Sequence, residues 1–425
     1  MGRFFLVAGL IISALLLINF PILYSYLALL SVLILAFMAF SYHTFEEKHN
    51  FTCDVIIPAY NEGEHIFETV KSVMQSNYKN FNIIVIDDGS ADDTRYWIKK
   101  AQEMFPDKVK TVLFDENKGK KHALAAGIRE SQSDYIVTID SDSVIDKDAI
   151  YKILSPFTNK KVGAVAGDIH VQNLDKGIIP KIMDVIFVYA YELFRCSQSR
   201  FGSVLCTPGA LSAYRRKALE PLLDTWLAQK FLGHATAIGE DRALTCLLIR
   251  NHWDIVYQES ALAYTNMPEK YKDLCKMLLR WLRGDMRENI MLTPFIIRNT
   301  SLRNIKSIGL FFHFVVFNIG TFAPAVVFPV LVAYYAYNFN EFLIVGPFLG
   351  MIALMWTILP TLIYMRRKSF KNAFHSITFT LFTLTLIAWV PCYALLTMNN
   401  NSWLTRNATQ KKKNTAAAAQ TQKIS

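Results

Sequence analysis

Apolar residues fall into two regimes along the chain. Phe4 to Phe20 is unbroken apart from Ser13 and Asn19, and after Pro21 a second run continues to Phe40. Each approaches the roughly 20 residues that cross a hydrocarbon core of about 30 Å. Two adjacent runs, with no small-residue cleavage pattern around Asn19–Tyr24, predict a transmembrane hairpin over residues 1–42 rather than a signal peptide. Membrane character returns over Ile308–Tyr337, Phe342–Tyr364 and Phe374–Met398. Between these regions, short β-branched runs alternate with stretches of helical period. Asp54–Ile57, Ile83–Ile86, Val109–Leu113 and Tyr135–Ile139 predict strands, while Ile66–Met74, the stretch from Asp92 through Met104, and Lys120–Ile128 predict helices. Alternation of this kind predicts an α/β domain with a mainly parallel sheet, whose ligands bind at the carboxyl ends of the strands.

Composition sharpens the division. The 425 residues are 52% hydrophobic and only 19% charged, which excludes a disordered chain, and the length allows two or three domains. The net charge of +10 raises the question of nucleic acid. Its distribution argues otherwise. Arg3 precedes the first run, Arg366, Arg367, Lys368 and Lys371 lie between the last two, and Lys411–Lys413 follow the end, whereas Tyr24–Tyr26 and Asn338–Glu341 carry no Lys or Arg. The positive-inside rule therefore predicts an integral membrane protein with its large domain and both termini cytoplasmic. Three simple C-terminal crossings would leave the tail outside, so one segment must be re-entrant, interfacial or a tight hairpin. Six scattered cysteines without a Cys-x-x-Cys pair exclude a disulfide framework and a structural zinc site. The expected layout is a hairpin at 1–42, a cytoplasmic domain at 43–270, amphipathic interfacial helices at 271–306, membrane segments at 307–400 and a tail at 401–425 with a low-complexity end.

Polar clusters fall at three predicted strand ends: Tyr60-Asn61-Glu62, Asp87-Asp88-Gly89-Ser90 and Asp140-Ser141-Asp142. Singly, each has an ordinary explanation; Asp-Gly is common turn chemistry. A basic group, Lys118, Lys120, Lys121 and His122, opens a helix, where amides and cations meet phosphate. Paired acids suit Mg²⁺ or Mn²⁺ bound jointly with substrate phosphates. Acids and cations converging on one sheet edge suit a metal–diphosphate substrate, whereas a nucleic-acid site would show basic and aromatic residues without the paired acids. Glu240-Asp241 either caps a helix favourably or supplies the general base that an acceptor hydroxyl needs. Arg280, Arg283 and Arg287 share one helical stripe with Trp281 nearby, an arrangement for lipid headgroups or for a diphosphate and a sugar ring.

These motifs resemble the processive family-2 glycosyltransferases with a GT-A fold, closest to the hyaluronan synthase and chitin-oligosaccharide synthase branch. The likeness spans nearly the whole chain: Pro58-Ala59-Tyr60-Asn61-Glu62, Asp87-Asp88-Gly89-Ser90, Gly119-Lys120-Lys121-His122, Asp140-Ser141-Asp142, Ala213-Tyr214-Arg215-Arg216, Gly239-Glu240-Asp241-Arg242, Arg280-Trp281 and Trp403-Leu404-Thr405-Arg406. The resemblance implies that Tyr60, Glu62 and an acid of Asp87-Asp88 hold the uridine, that Lys120 and Lys121 lie by the nucleotide, and that Asp140 and Asp142 serve the diphosphate and a Mg²⁺ or Mn²⁺ ion. It implies Asp241 as catalytic base, Trp281 at the acceptor, Arg280 and Arg406 at the diphosphate, and Trp403 in a segment closing over the nucleotide. Two positions depart from the family pattern: Met277 stands where Gln is expected, and Leu404 where Gly is usual. The segment Cys206-Thr207-Pro208-Gly209-Ala210 also departs from the hyaluronan branch.

The expected activity is inverting, processive polymerisation of a β-linked polysaccharide from a UDP-sugar, UDP-N-acetylglucosamine with or without UDP-glucuronate, and export through the membrane. Its partners are the UDP-sugar donor, the growing polysaccharide and membrane lipids, with no nucleic acid; accessory subunits are left open. Transfer of a single sugar to a lipid carrier is the alternative, and a non-catalytic membrane partner a third reading.

Overall fold

The computed structural model describes residues 21–340, 343, 357–358, 361–365 and 374–400. The first apolar run, most of Phe342–Tyr364, Trp403, Arg406 and the tail lie outside the described residues.

Strand β1 (Cys53–Ala59) is buried along its whole length, as is most of β2 (Phe81–Asp87). Strands covered on both faces read as continuous apolar runs, which is why these were visible in the sequence. They continue into β3 (Val109–Leu113), β4 (Tyr135–Thr138), β5 (Ser143–Ile145), β6 (Val162–Val171) and β7 (Ser212–Arg215). A small hairpin, β8 (Lys230–Phe231) and β9 (His234–Ala235), precedes β10 (Asp254–Thr265). The main sheet runs β3-β2-β1-β4-β7-β6-β10-β5. Neighbours β3, β2, β1 and β4 pair in parallel, as do β6 and β10, while β7 runs antiparallel to both β4 and β6, and β5 antiparallel to β10. The helices His65–Met74, Thr94–Met104 and Lys120–Glu130 make the parallel crossovers. Because β7 is antiparallel, its start at Ser212 meets the carboxyl end of β4. That reversal delivers the Cys206–Ala210 segment to the edge where Asp140 stands.

A 29-residue helix, Tyr271–Asn299, follows the sheet and carries Pro294 within its length. It occupies most of the 271–306 stretch for which amphipathic interfacial helices are expected. Pro21–Phe40 forms a 20-residue apolar helix. Among the described residues one helix, Ile305–Tyr337, is long and apolar enough to cross a membrane, or two if Phe374–Ile387 and Trp389–Leu396 count as one span bent by 45°. The break follows a π-helical turn, Thr383–Ile387, rather than Pro391, which sits in the first turn of the next helix.

Candidate active site

The sheet edge and the long helix enclose a cavity of roughly 380 Å³. Lys120, Asp140 and Asp142 line it from the sheet side, Glu240 and Asp241 from the start of the Glu240–Arg250 helix, and Met277, Arg280 and Trp281 from the Tyr271–Asn299 helix. Phe317, from the membrane-length helix, closes another part of the wall.

Lys120 is the centre of charge. Its ammonium lies 2.5 Å from Asp140 Oδ1 and 3.1 Å from Glu240 Oε1. Burial works against its charge, but Asp140 and Glu240 outweigh it and hold the ammonium charged well above the usual lysine range. Glu240 is only 5% exposed; burial opposes its ionisation, yet Lys120 and Arg280 keep its carboxyl below the ordinary value. Asp241 goes the other way, raised by burial and by the Glu240 charge beside it. Adjacent carboxyls pushed in opposite directions match one fixed anion and one group able to take a proton.

Packing fixes this loop. Trp226, fully buried, donates its indole N–H to the Glu240 carbonyl at 3.1 Å. Arg242, 1% exposed, donates to the Leu205 carbonyl and to Asn289 Oδ1 at 2.5 Å, tying the loop to the long helix. Asp241 Oδ1 accepts from the Arg242 amide at 2.7 Å, and the Cys206 thiol lies 3.8 Å from Asp241 Oδ2. Gly239 has φ +77° and packs on Gly284: a Cβ built on either would come within 3.1 Å of the other's Cα. At Gly209 a Cβ would sit 2.8 Å from both Asp140 Oδ2 and Lys120 Nζ, so a larger residue would have to displace that ion pair.

Other expected site residues go elsewhere. Lys121 follows Lys120 on a helix and so projects about 100° away. Its ammonium points to the Thr236 carbonyl at 3.4 Å and over the Trp226 ring, not into the cavity, and burial lowers its pKa to about 8. Of the two lysines, the helix thus brings Lys120 and not Lys121 to the cavity lining. Asp88 spends its carboxylate on the next loop, accepting from the amides of Lys118 at 2.8 Å and Gly119 at 2.9 Å and from Asn117 Nδ2 at 3.0 Å. Asp87 accepts from Arg95 Nε at 2.6 Å and the Ser90 amide at 3.1 Å. This pair therefore builds the wall beside the site. Tyr60 and Glu62 stand at the end of β1, outside the cavity lining; Thr94 Oγ1 accepts from the Glu62 and Gly63 amides at 2.9 Å, bracing their loop.

The arginine stripe also divides. Arg280 faces the cavity, but Arg283 and Arg287 are 2% and 1% exposed and turn to the end of the last described helix. Arg283 Nη2 donates to Thr397 Oγ1 at 2.8 Å, while Arg287 donates to the Met398 carbonyl at 3.3 Å and the Ile238 carbonyl at 2.8 Å. Neither guanidinium is presented to lipid headgroups.

Trp281 packs against Phe187, centroids 6.3 Å apart and planes 29° from parallel, which leaves it fixed at the cavity wall. Sequence reasoning missed Arg195, Cys206 and Asp285, which also line the cavity. Asp285 was detectable, lying four residues after Trp281 on the same helix; Arg195 carried no signal, because its segment is a π-helical turn, Tyr189–Arg195, without regular apolar period. Asp140 and Asp142 are hard oxygen donors on one cavity, a set that fits Mg²⁺ or Mn²⁺ completed by substrate phosphates. Among the described residues no third acidic, His or Cys group joins them as a protein-only metal cage.

A family model described as Glycosyl transferase family 2 matches residues 54–223. An N-acetylglucosaminyltransferase of Azorhizobium caulinodans is 30% identical over 359 residues, 84% of this chain and 87% of that relative. A hyaluronan synthase of Streptococcus pyogenes is 33% identical over 268 residues, covering 62% of this chain and 64% of its own length. Among solved structures, a mannosyltransferase from Pyrobaculum calidifontis in complex with GDP-Man and Mn²⁺ superimposes with a TM-score of 0.59 at 18% identity, over 94% of this chain and 99% of that one. The likeness in fold is GT-A: an α/β domain with a mostly parallel sheet.

Proposed function

This chain belongs to glycosyl transferase family 2 and is a glycosyltransferase, and we propose that it polymerises a β-linked polysaccharide from a cytosolic UDP-sugar. The observation that carries this reading is the shared cavity: sheet-edge acids, the Glu240-Asp241 pair, Arg280-Trp281 and a membrane-length helix all border one space. The name of one relative, an N-acetylglucosaminyltransferase, supports N-acetylglucosamine as the sugar carried by that donor.

In this reaction Asp241 removes the proton from an acceptor hydroxyl as its oxygen attacks the anomeric carbon. The bond from that carbon to the diphosphate oxygen breaks, and UDP leaves with the electron pair. Attack opposite the leaving group inverts an α-linked donor to a β-linkage. Arg280 and Lys120 meet the charge that develops on the diphosphate, and Trp281 supplies a flat face for the acceptor ring. A divalent cation, when held by Asp140 and Asp142, would add charge neutralisation at the same phosphates. Tyr60, Glu62 and the loops braced by Asp87 and Asp88 flank the uridine, and Trp403 and Arg406 serve the nucleotide from the C-terminal side. The membrane region, residues 307–400 with the 1–42 hairpin, gives the product its way out, and the domain at 43–270, with the 271–306 region and both termini, lies in the cytoplasm.

Membranes carrying the full-length protein, given UDP-N-acetylglucosamine and Mn²⁺, are expected to release UDP and yield a polymer ladder. A single added sugar on a lipid would replace processive synthesis with the carrier reading. Asp241→Asn is expected to cut turnover by about 10²–10⁴-fold with UDP binding retained; near-normal turnover would remove Asp241 from the role of base.

A further inference from the structure

Part of the cavity holds groups that the transfer step leaves unused. Asp285 follows Trp281 by one turn of the long helix, and both line the cavity. Its charged neighbour is Arg242, Nε 3.8 Å away, and among the described residues its carboxyl accepts no hydrogen bond. Arg195 contributes from another element: its guanidinium lies 3.8 Å over the Tyr191 ring, and its Nη1 is buried without a hydrogen-bond partner. Glu240 Oε2, on a side chain only 5% exposed, is likewise unpartnered at the cavity. Buried polar atoms are normally satisfied, so open acceptors and an open donor around one aromatic face mark positions that a bound molecule completes.

The chemistry of that molecule follows. A sugar ring stacked on Trp281 projects hydroxyls from its rim, and hydroxyls need acceptors such as the Asp285 carboxylate. An amide carbonyl on the ring needs a donor, which Arg195 supplies. A ring bearing its own carboxylate would be placed against Asp285 and Asp241, two like charges in a space where water is scarce. Burial raises Asp285 to about 6, leaving it predominantly ionised at neutral pH.

We propose that Asp285 is a specificity-determining residue that sets the charge class of the acceptor: a chain ending in a neutral sugar is extended, and one ending in a uronate is refused. The inference rests on the glycosyl-transfer reading above and narrows it to a product built from neutral sugars.

The test uses detergent-solubilised full-length protein, UDP-N-acetylglucosamine, and two oligosaccharides differing only in the terminal ring, N-acetylglucosamine or glucuronate. The wild type is expected to extend the neutral-ended chain with at least tenfold higher kcat/KM. Asp285→Asn, close to isosteric, is expected to shrink that ratio at least tenfold, chiefly by lowering the KM for the uronate-ended chain. Asp285→Ala gives a second route to the same ratio, and retained UDP binding marks a folded site in each variant. Equal extension of both chains by the wild type, preference for the uronate (Arg195 then governing), or an unchanged ratio in both variants would overturn the proposal. Absence of UDP release and of transfer to either chain overturns the transfer reading itself.

Discussion

Lys120 shows how one side chain holds opposing demands together. It is 10% exposed and pairs with Asp140 and Glu240, whose side chains are 30% and 4% exposed. Removing one partner from a buried ion pair typically costs about 3–5 kcal/mol, because the remaining charge is left without compensation. Lys120→Met is therefore expected to lower the melting temperature by several degrees and to raise the KM for the UDP-sugar; unchanged values of both would show that the ammonium is dispensable. At this scale the sequence was a partial guide. The Glu240-Asp241 pair, Asp140 and Asp142 could be picked out because strand ends and helix starts marked where they project, and Arg280 and Trp281, in mid-helix, through the family motif. Lys121, Arg283 and Arg287 turn away from the cavity for a common reason. Neighbourhood in sequence says which element a residue belongs to, and only the packing of that element says which way the residue faces.

Among elements, the decisive junction is the one between the Gly239 loop and the Tyr271–Asn299 helix. Gly284 lets the helix backbone come against the loop backbone, with Arg242–Asn289 and Arg287–Ile238 bonds on either side. Gly284→Val is expected to push the loop away from the helix and move Asp241. The measurement is a split in kinetics: kcat falls by at least tenfold while the affinity for UDP, held in the proposed reading by side chains other than Asp241, falls by less. A proportional loss of both would instead indicate general unfolding. The first four strands were legible because strand, turn and helix signals alternate there. Strands β6, β7 and β10 were not assigned from sequence, since β7 reverses direction within a parallel pattern and sheet neighbours are set by long-range pairing. Tyr271–Asn299 runs on as one helix through Pro294, a residue that ends many helices when packing does not hold them.

For the molecule as a whole, Glu288 couples folding to pH. It lies on the long helix, 3% exposed, with both oxygens accepting from Gln229 Nε2 at 3.0 and 3.1 Å. Burial pushes its pKa from the ordinary 4.5 up to about 7. A carboxyl with a raised folded-state pKa favours the folded chain fully below pH 4.5, and that contribution is lost as pH rises toward 7. Glu288→Gln is expected to flatten the decline of melting temperature over this interval, and an unaltered slope would assign the dependence to other groups. The division into apolar and α/β regimes was plain in the sequence from run length alone. The path of the last segments was not, because a 45° bend after a π-helical turn leaves no mark in composition.

The contact between Gly239 and Gly284 has a consequence for how this molecule can change. Most packed pairs can be exchanged by compensation, one side chain enlarging as its neighbour shrinks. Here neither partner has a side chain to give up, so a larger residue at one position finds no smaller residue to accept at the other. The pair is a fixed point around which variation must occur. Redesign of what the cavity accepts is accordingly confined to residues such as Met277 and Asp285, which line the same cavity from the same helix but face open space rather than backbone.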